Sequence, residues 1–199
     1  FGGSLLTNEV NIGNQSGKEW ADGIIAELKE MPNVTIKNRS QVFGYYDHNM
    51  LVMSERISDH LPKTKKFHPK QRLWYIRANE VLISSGSIER PIVFGNNDTP
   101  GVLLSSAAKE YMKVYGVIVG KNPLIFTNND SGYETAVEFK KNGIEPIILD
   151  TRISPKSEII EEAKNLGIKI KYSHVVVAAQ GYKKVKSADI AKISKDKEE

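Results

Sequence analysis

The fold of this chain is decided by the stretch Leu124-Ile125-Phe126-Thr127-Asn128-Asn129-Asp130-Ser131-Gly132-Tyr133. Its apolar start is typical of a buried strand, and the polar residues that follow are typical of a turn that opens a helix. The helix is predicted over residues 131–141, because Asn142-Gly143 is a C-cap signal. A second strand over residues 146–149, with Asp150 at its tip, completes a predicted parallel βαβ unit.

The flanking segments extend this unit into a domain. Before it, helical spacing over residues 102–115 places four apolar residues in one stripe: Leu103, Ala107, Tyr111 and Val114. After it, the pattern predicts a helix over residues 157–166 and a third strand over residues 168–172. A hairpin over residues 175–179 and 183–187 follows. Residues 102–199 are therefore predicted to form a second Rossmann-like domain that lacks its final strand.

The first part of the chain is predicted to be the back half of a dinucleotide-binding domain, over residues 1–101. The pattern predicts a helix over residues 17–31 and a short strand over residues 34–36. A hairpin over residues 41–46 and 50–57 follows, and then two further strands over residues 73–76 and 80–84. No Gly-x-Gly-x-x-Gly motif follows an N-terminal strand. We therefore expect an internal fragment of a longer polypeptide, with an unusual complete domain as the alternative.

Composition excludes several classes of function. The chain has 199 residues, 40% of them hydrophobic and 26% charged, which is ordinary for a globular protein. It has no cysteine, so a disulfide framework, a thiolate metal site and a cysteine nucleophile are excluded. The 4 histidines show no metal-ligand spacing. The net charge of +4 comes from scattered lysines, which predict a solvated surface and no nucleic-acid partner. No apolar run has the length of a membrane span, so no membrane partner is expected.

The turn of the βαβ unit keeps little of the dinucleotide motif. Laid on Gly-x-Gly-x-x-Gly, residues 127–132 retain only the third glycine, Gly132, which lets helix and strand pack closely. Asn129 adds a side chain where a phosphate would lie, and Asp130 adds a negative charge near the helix N-terminus. Tight dinucleotide binding is therefore not expected here. Asp150 lies at the usual ribose-binding position, and a solvated strand-end acid is its alternative interpretation.

Specific motifs elsewhere resemble a known family. Residues 77–91 run from an apolar strand through a small-residue turn to Glu89-Arg90-Pro91. Flavin and nicotinamide oxidoreductases with two dinucleotide domains close their first domain in a similar way. Together with residues 43–49, 89–102 and 126–133, this segment makes the chain resemble the alpha subunit of heterotetrameric sarcosine oxidase.

The resemblance implies an α/β fold with two partial Rossmann-like dinucleotide-binding domains of the FAD/NAD(P)-linked reductase type. It implies NAD in this subunit, and FAD and FMN in the complete enzyme. It also implies beta, gamma and delta subunits as partners, with tetrahydrofolate bound by a missing downstream domain. That cytoplasmic enzyme oxidises a CH–NH bond of sarcosine with oxygen, giving glycine, hydrogen peroxide and a one-carbon unit for tetrahydrofolate. No catalytic residue is expected in this segment, and the fragment is expected to be inactive alone.

The resemblance also indicates which residues meet the dinucleotide. Glycines allow close approach of the backbone to a ligand, the strand end and small turn lie against the pyrophosphate in the family, and the hairpin strand touches the adenine end. The implied cofactor-binding residues are Gly2, Gly3, Ser4, Gln41, Val42, Phe43, Ser84, Ser85 and Gly86.

Other interpretations remain open. Disulfide reductases share the architecture but need a cysteine pair, which this chain lacks. The alpha subunit of an amino-acid or opine dehydrogenase is one alternative, and a structural scaffold that binds no ligand is another. Tyr45, Tyr46, Asp47 and His48 form a polar-aromatic cluster on a predicted turn, where either a catalytic acid or base or simple aromatic packing would fit.

Overall fold

The computed structural model describes residues 2–63 and 66–194. They divide into two compact units. Unit 1 contains Gly2 and Val10–Gly86, and unit 2 contains Gly3–Glu9 and the chain from Ser87 onward. The compact units change over between Gly86 and Ser87. The boundary between two nucleotide-binding domains, expected after residue 101, remains a prediction.

Unit 1 begins with a short hairpin and a helix. The strands β1 (Asn11–Ile12) and β2 (Gln15–Ser16) pair antiparallel and lead into α1 (Gly17–Glu30). Ser16 and Glu19 form a reciprocal capping box that satisfies backbone amides at the helix start. The helix predicted over residues 17–31 is confirmed.

The rest of unit 1 is a three-stranded antiparallel sheet in the order β3-β4-β5, with strands at Ser40–Tyr46, Met50–Arg56 and Gln71–Arg77. This confirms the predicted hairpin and the strand after the charged loop. The middle strand carries the buried side chains Val52 and Met53. Trp74 of β5 donates its indole hydrogen to Glu55 of β4 at 2.7 Å, which ties the two strands together through their side chains.

Two predicted strands are wrong. Val34–Ile36 and Glu80–Ser84 have no regular secondary structure. Apolar, β-prone residues form a strand only when a neighbouring strand completes their backbone hydrogen bonds. Within residues 2–63 and 66–194, no strand pairs with either segment. In the second segment Leu82 is 92% exposed, so its side chain packs on nothing in the described chain.

Unit 2 contains a parallel sheet in the order β6-β7-β8, with strands at Leu124–Thr127, Ile147–Asp150 and Lys169–Tyr172. Helices α3 (Ser131–Lys141) and α4 (Glu158–Asn165) connect them. The predicted βαβ unit is confirmed, since β6 and β7 pair in parallel. The core lies between the sheet and these helices and includes Ile125, Tyr133, Ala136, Ile148 and Ile160.

A helix and a hairpin complete unit 2. Helix α2 spans Ser105–Tyr115, and strands β9 (His174–Gly181) and β10 (Val185–Lys192) form the hairpin. The helix predicted over residues 102–115 is present, but the apolar stripe predicted for it is not its buried face. Leu103, Tyr111 and Val114 are exposed, whereas Ala108 is buried and Met112 packs on the core. The face of α2 that packs on the core is therefore one residue further along the chain, at Ala108 and Met112, and α2 contacts α3.

Candidate nucleotide sites

The residues predicted to contact a dinucleotide lie in both units. Gln41–Phe43 lie in β3, and Ser84–Gly86 lie in the irregular segment after β5. These six residues are exposed, and they belong to unit 1, as does Gly2. Gly3 and Ser4 belong to unit 2, in a 3-10 helix over Gly3–Leu6. In the described part of the chain, no hydrogen bond links Gln41–Phe43 with Ser84–Gly86. Within the described residues of unit 1 the structure therefore leaves the side chains of Gln41–Phe43 and Ser84–Gly86 accessible without joining the two segments by a hydrogen bond.

Local backbone geometry marks two of these residues. The pairing of β3 with β4 shifts between Val42 and Gly44, which makes Phe43 the extra residue of a β-bulge. Its side chain is 60% exposed. Gly86 has a φ of 68°, a left-handed conformation that favours glycine. A bulge and a glycine turn are both common where a backbone meets a ligand, so both features are compatible with a nucleotide contact.

The corresponding turn of unit 2 is satisfied by its own side chains. The Asn129 amide donates to Thr127 Oγ1 at 3.2 Å, and that hydroxyl donates to the Asn129 carbonyl at 2.9 Å. Asn129 Oδ1 accepts from the Ser131 amide at 3.0 Å and from the Ser131 hydroxyl at 2.6 Å. In a phosphate-binding turn such amides point at the anion. Here two of them are used within the turn.

Gly132 is required where α3 meets β6. A β-carbon at this position would lie 2.7 Å from Thr127 Cβ and 2.8 Å from Thr127 Oγ1. That distance is shorter than any ordinary van der Waals contact, so a side chain would push the helix away from the strand. The predicted close packing at Gly132 is confirmed, and it is a property of the fold with or without a ligand.

Asp150, the candidate ribose-binding acid, is fully buried at 0% exposure. The Tyr133 hydroxyl donates to its Oδ2 at 2.6 Å. Arg152 donates from its amide and Nε to Oδ1, at 2.9 and 3.0 Å, and from Nη2 to Oδ2 at 2.8 Å. Interpreting Asp150 as a solvated acid is therefore wrong, and both carboxylate oxygens already accept hydrogen bonds from the chain itself.

Arg152 links Asp150, at the end of β7, with Asp130, in the turn after β6. Its Nη1 donates to Asp130 Oδ1 at 2.8 Å, and its guanidinium carbon lies 5.8 Å from the centre of the Tyr133 ring. Hydrogen bonding to Asp150 is the main cause that raises the pKa of Arg152, which keeps it charged. Burial, followed by the hydrogen bond to Asp150, raises the pKa of Tyr133, so its hydroxyl remains a donor. Arg152 belongs to no motif in the sequence, and its only signal is its position two residues after the strand-end acid.

These contacts form two separate groups. Thr127, Asn129 and Ser131 bond to one another within the turn, and Asp130, Tyr133, Asp150 and Arg152 form a second group that we call the Arg152 network. Within the residues that the structure describes, no group of three or more His, Asp or Glu side chains is placed to hold a metal ion. The same residues include no helix that is long and apolar enough to cross a membrane.

Comparison with known proteins identifies relatives. No protein-family model matches the chain. The sarcosine oxidase alpha subunit of Rhizobium meliloti (strain 1021) is 38% identical over 84% of the chain, and that of Corynebacterium sp. (strain P-1) is 33% identical over 99%. The chain is related to the alpha subunit of sarcosine oxidase. It spans only 18% and 21% of the length of these two relatives.

Solved structures show the same fold. Thioredoxin reductase of T. acidophilum has a TM-score of 0.65 at 13% identity, over 98% of this chain and 60% of its own. L-proline dehydrogenase of P. horikoshii has a TM-score of 0.55 at 18% identity, over 95% of this chain and 32% of its own. The predicted class, α/β of the FAD/NAD(P)-linked reductase type, is therefore confirmed, with parallel and antiparallel sheets in one chain.

Proposed function

We propose that this chain is the nucleotide-binding segment of a sarcosine oxidase alpha subunit and that NAD binds on unit 1. The observation that carries the proposal is the identity of 33% along 99% of the chain with one such subunit. The contrast between the two candidate sites supports the location. In unit 1, Gln41–Phe43 and Ser84–Gly86 are exposed. In unit 2, by contrast, Arg152 holds the ribose-position acid, and side chains within the turn bond two of its amides.

In this proposal the two dinucleotide-type domains are residues 1–101 and 102–199. The first binds NAD through the seven predicted residues that lie in unit 1, Gly2, Gln41, Val42, Phe43, Ser84, Ser85 and Gly86, and the second keeps the fold without a ligand. The cofactors FAD and FMN and the oxidation of sarcosine belong to the complete enzyme, with beta, gamma and delta subunits. Tetrahydrofolate binding would lie in the remainder of an alpha subunit about five times longer than this chain. A cytoplasmic location remains a prediction.

The experiment is identification by mass spectrometry of the nucleotide released from the purified complete enzyme. NAD supports the proposal. FAD or another nucleotide released from the isolated alpha subunit supports a dehydrogenase-type relative, and a subunit without a nucleotide supports a scaffold. To locate the ligand, Ser85→Trp would fill the exposed turn of unit 1, and Ser154→Trp would place the same side chain at an exposed position of unit 2. Loss of NAD is expected only from the first variant, and loss only from the second would contradict the assignment.

A further inference from the structure

The turn that joins β3 to β4 has an unusual backbone. His48 and Asn49 have φ values of 59° and 52°, a conformation that few residues other than glycine, asparagine and aspartate adopt readily. The turn belongs to the polar-aromatic cluster singled out in the sequence. Its aromatic residues Tyr45 and Tyr46 are exposed, and the cluster has no part in the Arg152 network of unit 2.

Asn49 connects this turn to the segment after β5. Its carbonyl accepts from the Ala78 amide at 3.2 Å, and its Nδ2 donates to the Asn79 carbonyl at 2.8 Å. Its remaining side-chain atom, Oδ1, accepts from the Tyr45 hydroxyl at 2.8 Å. The Tyr45 bond fixes the orientation of the Asn49 amide, because only the nitrogen can donate to Asn79.

These contacts matter because the segment they hold has little other support. Residues 78–86 have no regular secondary structure. Within the described residues, the segment 78–86 makes two hydrogen bonds, through the Ala78 amide and the Asn79 carbonyl. Asn49 is the partner in both. The Ser84–Gly86 turn begins five residues beyond this attachment, and its residues are exposed. The direction in which the chain leaves β5 is therefore set at Asn49.

We propose that Asn49, oriented by Tyr45, is a positioning residue that places the Ser84–Gly86 turn for the dinucleotide. This role rests on the proposed binding of NAD to unit 1. This role requires no contact between Asn49 and the nucleotide. Asn49 acts by fixing the chain at Ala78 and Asn79, where it leaves β5, so that less conformational entropy is lost when the turn closes on a ligand.

The test uses the complete enzyme with the alpha-subunit variants Asn49→Gly, Tyr45→Phe and, as a matched control, His48→Gly. Asn49→Gly keeps the left-handed backbone and removes both side-chain hydrogen bonds. Tyr45→Phe removes only the hydroxyl that orients Asn49. His48→Gly alters the neighbouring left-handed residue of the same turn, whose side chain is exposed and makes no hydrogen bond in the described part of the chain.

The affinity for NAD is measured by calorimetry at a temperature where circular dichroism shows each variant folded. We expect Asn49→Gly to weaken NAD binding about tenfold, about 1.4 kcal/mol, Tyr45→Phe to weaken it by a smaller factor, and His48→Gly to leave it within about twofold. Amide exchange should accelerate at residues 78–86 in Asn49→Gly. A purely structural role would lower the melting temperature without changing the affinity of the folded protein.

Two results would overturn the inference in different ways. If wild-type enzyme binds NAD and folded Asn49→Gly binds it equally well, Asn49 is not a positioning residue and the proposed function stands. If Asn49→Gly fails to fold, unchanged affinity in Tyr45→Phe has the same meaning. If the wild-type enzyme binds no NAD at all, the proposed function itself is wrong and the positioning role fails with it.

Discussion

At the residue scale, the contact between Gly132 and Thr127 determines how closely α3 approaches β6. We expect Gly132→Val to lower the free energy of unfolding by about 1–3 kcal/mol, because a β-carbon there would lie 2.7 Å from Thr127 Cβ. Chemical denaturation measures this difference. Gly120→Val is the control, since a β-carbon at Gly120 meets nothing within 4 Å. Equal losses in both variants would show that the Thr127 contact is not the cause.

Arg152 is the second residue whose role is local and measurable. Its removal leaves the Asp150 carboxylate at 0% exposure without a cation. We expect Arg152→Met to lower the free energy of unfolding by about 3 kcal/mol, because an unpaired buried charge is costly.

The matched double variant tests the cause. Asp150→Asn added to Arg152→Met should recover part of the loss, because a neutral amide is cheaper to bury and can still accept from Tyr133. Urea denaturation of wild type, both single variants and the double variant gives the coupling free energy. Simple additivity of the two losses would disprove a direct interaction between the side chains.

At the scale of an element, helix α2 begins with help from a residue distant in sequence. Its N-cap residue Leu104 offers no side-chain acceptor. The carboxylate of Glu89 takes this role, accepting from the Ser105 hydroxyl at 3.1 Å and from the Ser106 amide at 2.8 Å. Partial burial by itself would raise the pKa of Glu89, but the bonds from Ser106 and Ser105 outweigh it and lower the pKa below its ordinary value.

The sign of the pH dependence follows from this lowered pKa. A carboxyl whose pKa is lower in the folded state adds stability above its unfolded pKa, about 4.3 for Glu, and loses it as the pH falls through the folded pKa. We expect Glu89→Gln to lower the unfolding free energy by about 1 kcal/mol at neutral pH, as for a lost helix cap. The difference from wild type should shrink as the pH falls below the ordinary range of a glutamate.

Glu110→Gln is the matched control, because Glu110 is exposed on the same helix and makes no ion pair or side-chain hydrogen bond among the described residues. Thermal unfolding followed over a pH series gives the comparison. A Glu89→Gln difference that stays constant from neutral to acidic pH would show that the carboxylate does not cap α2.

At the scale of the whole molecule, the assignment of NAD to unit 1 can be tested by changes in unit 2. Asn129→Gly and Asp130→Ala bring the unit 2 turn closer to a dinucleotide motif by removing a side chain and a negative charge. We expect neither to change the NAD affinity of the complete enzyme. Calorimetric titration measures it, and a tenfold change, about 1.4 kcal/mol, would place the nucleotide in unit 2 and reverse the assignment.

The sequence by itself determined the elements whose signals are local. The βαβ unit followed from an apolar strand, a helix with a clear end and a second apolar strand, and the β3–β4 hairpin from two β-prone runs around Asp47-His48-Asn49. The motifs of residues 43–49, 89–102 and 126–133 pointed to a family that the relatives bear out. Such patterns depend on neighbours a few residues apart, so the sequence records them directly.

The tertiary structure alone decided the features that join distant residues. Glu80–Ser84 is a good strand sequence but forms no strand, because pairing depends on another segment of chain. Asp150 is buried because Tyr133 and Arg152 approach it, and Glu89 caps α2 across 17 residues of sequence. The burial of a charge and the partner of a hydrogen bond depend on which side chains the fold brings together in space, and composition and periodicity do not encode that arrangement.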